Sequence, residues 1–252
     1  NRDHLQHAIL ANEDVIIRDV TSVYAVLALS GPLSRTVMET LVDISLSDKD
    51  FPPYSLQQFY IGHAPVFAQR LSFTGEMGWE IFITPDFAEY VFEQLYQAGQ
   101  AYDLRLAGGE ALNALRIEKG FVHWGSDMAY TESPHQIGLS FACHVDKDIA
   151  FTGRGPYLAR KAEAKGPFLC SIKLQQPDAM LHHNEPVLRD GVIVGFVTSG
   201  AFSTIQGSAI ALCLIKPPAG SSGGEALEKG DYSVLVEGRI IPAILQRKAF
   251  AR

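Results

Sequence analysis

The spacing of apolar and polar positions changes several times along the chain, and each change predicts an element. Residues 2–11 are predicted helical, and Val15-Ile16-Ile17 and Val23–Leu29 are apolar, β-branched-rich runs of strand length. Gly31-Pro32 ends the second run and opens a helix over about 32–42, where Leu33, Val37, Leu41 and Val42 share a face. Pro52-Pro53 marks a loop. Strands follow near 57–61 and 65–73, with Ile61-Gly62-His63-Ala64 as the hairpin between them, and Trp79–Ile83 makes another. Pro85 opens a helix carrying Phe87, Tyr90, Val91, Leu95 and Ala98 at helical spacing. A second helix spans about 108–120, with Leu112, Leu115, Arg116 and Glu118, and Gly120 is its stop.

The pattern shifts near residue 160. Ala162-Glu163-Ala164-Lys165-Gly166-Pro167 reads as a connection. Beyond it come short, turn-separated strands: Phe168–Leu174, Val187–Arg189, Val192–Thr198, Ser208–Leu214, Tyr232–Val236 and Ile240–Leu245. Arg189-Asp190-Gly191-Val192 is a hairpin signal, because Asp-Gly suits a turn that needs positive φ. Pro217–Gly224 is too polar and small-residued to pack and reads as a flexible insertion. The expectation is two domains, a mixed helix-and-strand part over 1–160 and a small β-barrel or sandwich over 161–252.

Composition narrows the classes of function. Hydrophobic residues make up 47% of the 252, enough for a substantial core. The 28 acidic residues outnumber the 21 basic ones for a net charge of −7, which argues against nucleic acid as a partner. The chain holds no run of 18 apolar residues, so a membrane span is not expected. Asn1-Arg2-Asp3-His4-Leu5 lacks both an initiator Met and the order of a signal peptide, so the expectation is a processed, cut or partial chain. Cys143, Cys170 and Cys213 form no metal-ligand spacing and read as buried thiols of a reducing compartment. The expected location is cytoplasmic, or the mitochondrial matrix in a eukaryote.

Three clusters carry candidate chemistry. Ser72–Glu80 places Thr74-Gly75-Glu76-Met77-Gly78-Trp79-Glu80 at a tight turn into a strand. Read plainly it is a hairpin with a surface Glu; read functionally, Glu80 is a rigid carboxylate that accepts two N–H groups from a pterin-like edge. In the second cluster Arg116 lies on a helix face that should be apolar, where an ion pair is its plainest role, and Phe121 and Trp124 follow as core fillers or cavity walls. In the third, Ser133-Pro134 and Gly153-Arg154 offer capping and turn chemistry. His182-His183 lacks companion ligands and receives no role.

Together these clusters resemble the aminomethyltransferase (glycine-cleavage T-protein) superfamily over nearly the whole chain. Leu29-Ser30-Gly31-Pro32 is similar to its strand-Gly-Pro-helix step, Thr74–Glu80 to T-G-E-x-G-[FW]-E, and Arg116-Ile117-Glu118 to its L-R-x-E helix. Gly125–Met128 is similar to G-x-D-[ML], and Ser133–Leu139 to P-x-E-x-G-L with Gln136 replacing Glu. Phe151–Arg154 is similar to F-[IT]-G-[RK] and Thr198–Ser203 to T-S-[GA]-x-[FY]-S. Each motif is weak alone; their order is specific. Glu118–Gly125 resembles the C-terminal folate-binding half of dimethylglycine and sarcosine dehydrogenases, and Leu112 stands where the T-protein proper usually has Arg.

The resemblance implies an α+β fold, a partial folate-binding domain of mixed sheet and helices followed by a C-terminal β-barrel. It implies tetrahydrofolate as cofactor, with FAD only in an upstream domain. The implied activity is tetrahydrofolate-dependent one-carbon transfer, as aminomethyl or methylene, within a longer flavoprotein. Alternatives are a non-catalytic folate-binding module, a folate-dependent demethylase and a glycine-cleavage aminomethyltransferase. By motif, Glu80 is the pterin-binding carboxylate, Phe73 replaces a pocket Tyr, Tyr54 aligns loosely with a pocket aromatic, and Arg116 and Trp124 wall or support the pocket. The implied partners are a small-molecule folate and either the missing N-terminal part of the protein or a second copy. The family's essential Asp belongs to a G-G-x-x-D-D-like segment that these 252 residues do not contain, so no catalytic residue is assigned.

Overall fold

The computed structural model describes residues 2–163, 165–221 and 225–250. The chain divides into two compact units, residues 1–72 with 76–106, and residues 73–75 with 107–252.

The first unit opens with helix α1 (Arg2–Ala8). Residues 15–17, expected as a strand, have no regular structure: Val15 and Ile16 are exposed, and no strand among the described residues pairs with them to hold them extended. An apolar run becomes a strand only where a neighbouring strand takes its backbone hydrogen bonds. Strand β1 (Ala25–Ser30) is followed by helix α2 (Ser34–Glu39), shorter than expected, then by β2 (Leu56–Ile61), β3 (Ala64–Gln69) and β4 (Gly78–Ile83). They form an antiparallel sheet in the order β1-β4-β3-β2.

Side chains alternate across this sheet, as a period of two requires. Phe59, Ile61, Val66, Ala68, Trp79, Ile81 and Ile83 face a core shared with α2 and helix α3 (Pro85–Gly99). Pro85 starts α3 as expected, and Val91 and Leu95 carry its buried face. Gly78 is required where β4 passes β1, since a Cβ there would stand 2.4 Å from the Leu29 carbonyl oxygen.

In the second unit, helix α4 (Gly109–Glu118) ends at Gly120, whose φ is +74°. Phe121 N–H donates to Arg116 O at 2.8 Å and Gly120 N–H to Ile117 O at 3.0 Å, the paired bonds of a Schellman stop. Helix α5 (Arg154–Glu163) follows. Six strands then close an antiparallel barrel: β5 (Phe168–Leu174), β6 (Pro186–Arg189), β7 (Val192–Ser203), β8 (Ser208–Ile215), β9 (Tyr232–Val236) and β10 (Arg239–Gln246). Their order is β10-β5-β8-β7-β6-β9, closed by β9 on β10. Asp190 and Gly191, both at positive φ, make the expected β6–β7 hairpin. Part of the expected insertion at 217–224 lies outside the described residues.

The barrel interior is filled by Ile172, Leu174, Leu181, Val187, Val197, Ala211, Val234 and Ile241 among others. Ile117 of α4 packs outside it on Ala201, Ile210 and Leu212, so α4 lies along β7 and β8. Cys143 is only half-buried, unlike the expectation for all three cysteines, because it sits in a surface turn.

Candidate functional site

Three sequence motifs meet between α4 and β7. Arg116 and Asp127, 3% and 0% exposed, form a buried ion pair through Arg116 Nη1 and Asp127 Oδ2. The guanidinium also donates to Phe121 O at 2.9 Å, to Asn113 Oδ1 at 3.0 and 2.7 Å, and to Ser199 Oγ at 2.7 Å. These contacts use all five of its N–H groups. Asp127 accepts from His123 N–H at 2.9 Å and from Thr198 Oγ at 2.6 Å. Glu118, also buried, accepts from Ser203 Oγ.

The strand reaches this cluster through a bulge. β7 slips register between Val197 and Ser199, so Thr198 is an extra residue against β8. In a regular strand Thr198 and Ser199 would point to opposite faces. Here one bonds Asp127 and the other Arg116. Gly200 follows, and a Cβ on it would lie 2.3 Å from the Leu181 backbone, so glycine lets residues 181–182 rest against β7.

A cavity of about 420 Å3 opens above the ion pair, within the size range of small-molecule sites. Gly109, Leu112, Asn113 and Arg116 of α4 form one wall, and Thr198 and Ser199 form the floor. Phe73, His123, Gly125, Ser126, His182 and His183 complete the lining, and Phe73 stacks on Phe121 at 6.3 Å between centroids. No carboxylate lines it among the described residues. The His182–His183 loop, given no role from sequence, is held here because His183 Nδ1 donates to Thr198 O at 2.6 Å. An isolated His pair carries no such signal; the link is the strand bulge, which sequence spacing does not show. Among the described residues no three His, Cys, Asp or Glu side chains group to hold a metal ion.

Of the residues singled out from sequence, Phe73 and Arg116 meet at this cavity, Arg116 with its donors already committed. Trp124 is 62% exposed and does not line it. Glu80 and Tyr54 belong to the first unit. Glu80 is half-buried on β4, opposite Ala28 of β1 and Gln69 of β3, on the sheet face turned away from the core. Phe82 and Phe67 share that face, and Tyr24 meets both edge-on at 6.5 and 6.1 Å. Tyr54 is 80% exposed at φ +65°, its N–H donating to Arg70 O at 3.0 Å.

Comparison with known proteins agrees with this architecture. Residues 1–147 match the GCVT N-terminal domain, and residues 168–251 match the glycine cleavage T-protein C-terminal barrel domain. The chain is 32% identical over 232 residues to 4-methylaminobutanoate oxidase (formaldehyde-forming) of Paenarthrobacter nicotinovorans, covering 92% of this chain and 27% of that protein. It is 35% identical over 196 residues to mitochondrial dimethylglycine dehydrogenase of Rattus norvegicus, covering 78% of this chain and 23% of that protein. The chain thus spans about a quarter of the length of these relatives. The crystal structure of the glycine cleavage system aminomethyltransferase T from Bartonella henselae superposes with a TM-score of 0.72 at 21% identity, over 90% of this chain and 60% of that one. That likeness shows the fold. With both domain models matched in order across the chain, the protein belongs to the glycine cleavage T-protein family.

Proposed function

We propose that the chain is the tetrahydrofolate-binding part of a dimethylglycine/sarcosine dehydrogenase-like protein and serves one-carbon transfer to folate. Glu80 carries this reading. A half-buried carboxylate stands on an open sheet face beside Phe67, Phe82 and Gln69. Two carboxylate oxygens match the paired N–H donors along a pterin edge, while aromatic neighbours offer the ring an apolar surface. These residues fit the group. Bound tetrahydrofolate supplies the nucleophilic nitrogen, and the chain's own residues orient it and exclude water from one side of it. The kinship with dimethylglycine dehydrogenase supports the substrate class.

Glu80→Gln keeps the shape and removes the charge and one acceptor. Its expected effect is about tenfold weaker binding of 5-formyltetrahydrofolate, a charge-assisted pair being worth about 1.5–3 kcal/mol. Titration calorimetry checks it, and unchanged affinity would remove Glu80 from the site.

A further inference from the structure

Helix α4 covers the outside of the barrel along β7 and β8. Further round, β10, β9, β6 and the start of β7 stand side by side. Alternate residues of these strands fill the interior, among them Ile241, Val234, Val187 and Val197. The positions between them point outwards. On β10 these are Ile240, Pro242 and Ile244. Leu235 of β9 stands opposite Ile240, and Phe196 and Ile193 of β7 stand opposite Pro186 and Leu188 of β6. Among the described residues only Ser233, opposite Pro242, interrupts this wall with a polar side chain.

The wall is open to solvent. Ile240 is 64% exposed, Ile193 54% and Phe196 50%, and Pro242 and Ile244 are exposed as well. The apolar surface left open is roughly 500 Å2, the size at which a patch often has a function. The barrel is closed, so the wall offers no backbone edge to an added strand, and a partner must meet it through side chains.

We propose that this wall is a docking face for a second copy of the chain, the two walls packing face to face about a two-fold axis. A two-fold contact presents one surface to itself, and a uniformly apolar face is complementary to itself. None of its side chains is charged, so two chains of net charge −7 meet there without placing like charges together. The rim at the Ile240 end holds both signs: Arg239 Nη1 lies 3.6 Å from Asp178 Oδ2, and both side chains are exposed, so each can turn to its opposite on the other copy. Two such faces bury on the order of 1,000 Å2, the threshold of a specific interface, which predicts a dimer with a Kd on the order of 10 μM. The wall lies wholly in the second unit and is independent of the role of Glu80.

Sedimentation velocity of the full chain tests the docking. At about 100 μM the chain should sediment as a dimer, and at about 1 μM as a monomer. Its unfolding midpoint should rise over the same range, because association stabilises the folded chain by mass action. Ile240→Glu and Phe196→Glu each put two carboxylates into the contact, and each should leave a monomer at the higher concentration. Both positions are exposed, so each variant should unfold close to the midpoint of the dilute wild-type chain, which separates lost docking from lost folding. Ile240→Ser removes apolar surface without adding charge; it should weaken the dimer about tenfold or more, and it covers the case in which a Glu variant does not fold. Ile149→Glu, at a residue 73% exposed outside the barrel strands, should keep the dimer. A wild-type chain that stays monomeric at the higher concentration, or a dimer that survives both Glu variants, overturns the proposal. A wild-type monomer that co-sediments with phosphatidylglycerol vesicles, and loses this in both Glu variants, overturns it too and assigns the wall to lipid.

Discussion

Arg116 shows how far a single residue can be read. An arginine on a helix face that should be apolar calls for a buried partner, and the structure supplies Asp127, eleven residues on. The Schellman stop at Gly120 turns the chain back towards the helix, and Asp127 lies beyond it. Replacing Asp127 by Ala leaves a buried guanidinium uncompensated. The expected loss is about 3–5 kcal/mol of stability, read by urea unfolding. Arg116→Met combined with Asp127→Ala should cost less than the sum of the single changes, because neither charge is then stranded. Glu80 contrasts with this pair. Its motif was visible in sequence, but strand alternation decided that it faces away from the core beside Phe82.

At the scale of elements, helices with a proline start and a glycine stop were legible, because α3 and α4 carry their own boundary chemistry. The strand expected at 15–17 was not formed, since strand formation depends on a partner that local spacing cannot supply. The bulge in β7 was equally hidden. It turns Thr198 and Ser199 to the same cluster, and Gly200 beside it admits the 181–183 loop. Gly200→Ala places a Cβ against backbone that has no side-chain freedom to yield. The expected cost is about 1–3 kcal/mol, measured as a fall in the unfolding midpoint.

For the molecule as a whole, burial sorts three cysteines that sequence treated alike. Cys170 and Cys213 face each other across β5 and β8 as free thiols inside the barrel. Burial pushes the Cys170 thiol up to about 12, and the fully buried Cys213 thiol well above its ordinary value for the same reason. At pH 8 both buried thiols stay protonated, and it is the thiolate that reacts. Native-state alkylation at pH 8, read by intact mass and peptide mapping, should therefore label the half-buried Cys143 first. The other two should react only after unfolding. Rapid native labelling of Cys170 would show that the barrel opens.

The sequence by itself pointed to the family through an ordered set of motifs, and its short, turn-separated strands left a β-barrel or a sandwich open until the family resemblance implied a barrel. These depend on short-range periods, turn residues and spacing, which one chain carries locally. Only the tertiary structure decided which motif side chains meet. It made Arg116 a clamp on Asp127 and Ser199, brought the unassigned His182 and His183 to a cavity, and left Trp124 at the surface. The physical reason is distance along the chain: Arg116 and Ser199 are 83 residues apart, and their contact exists only once α4 has packed on a bulged strand.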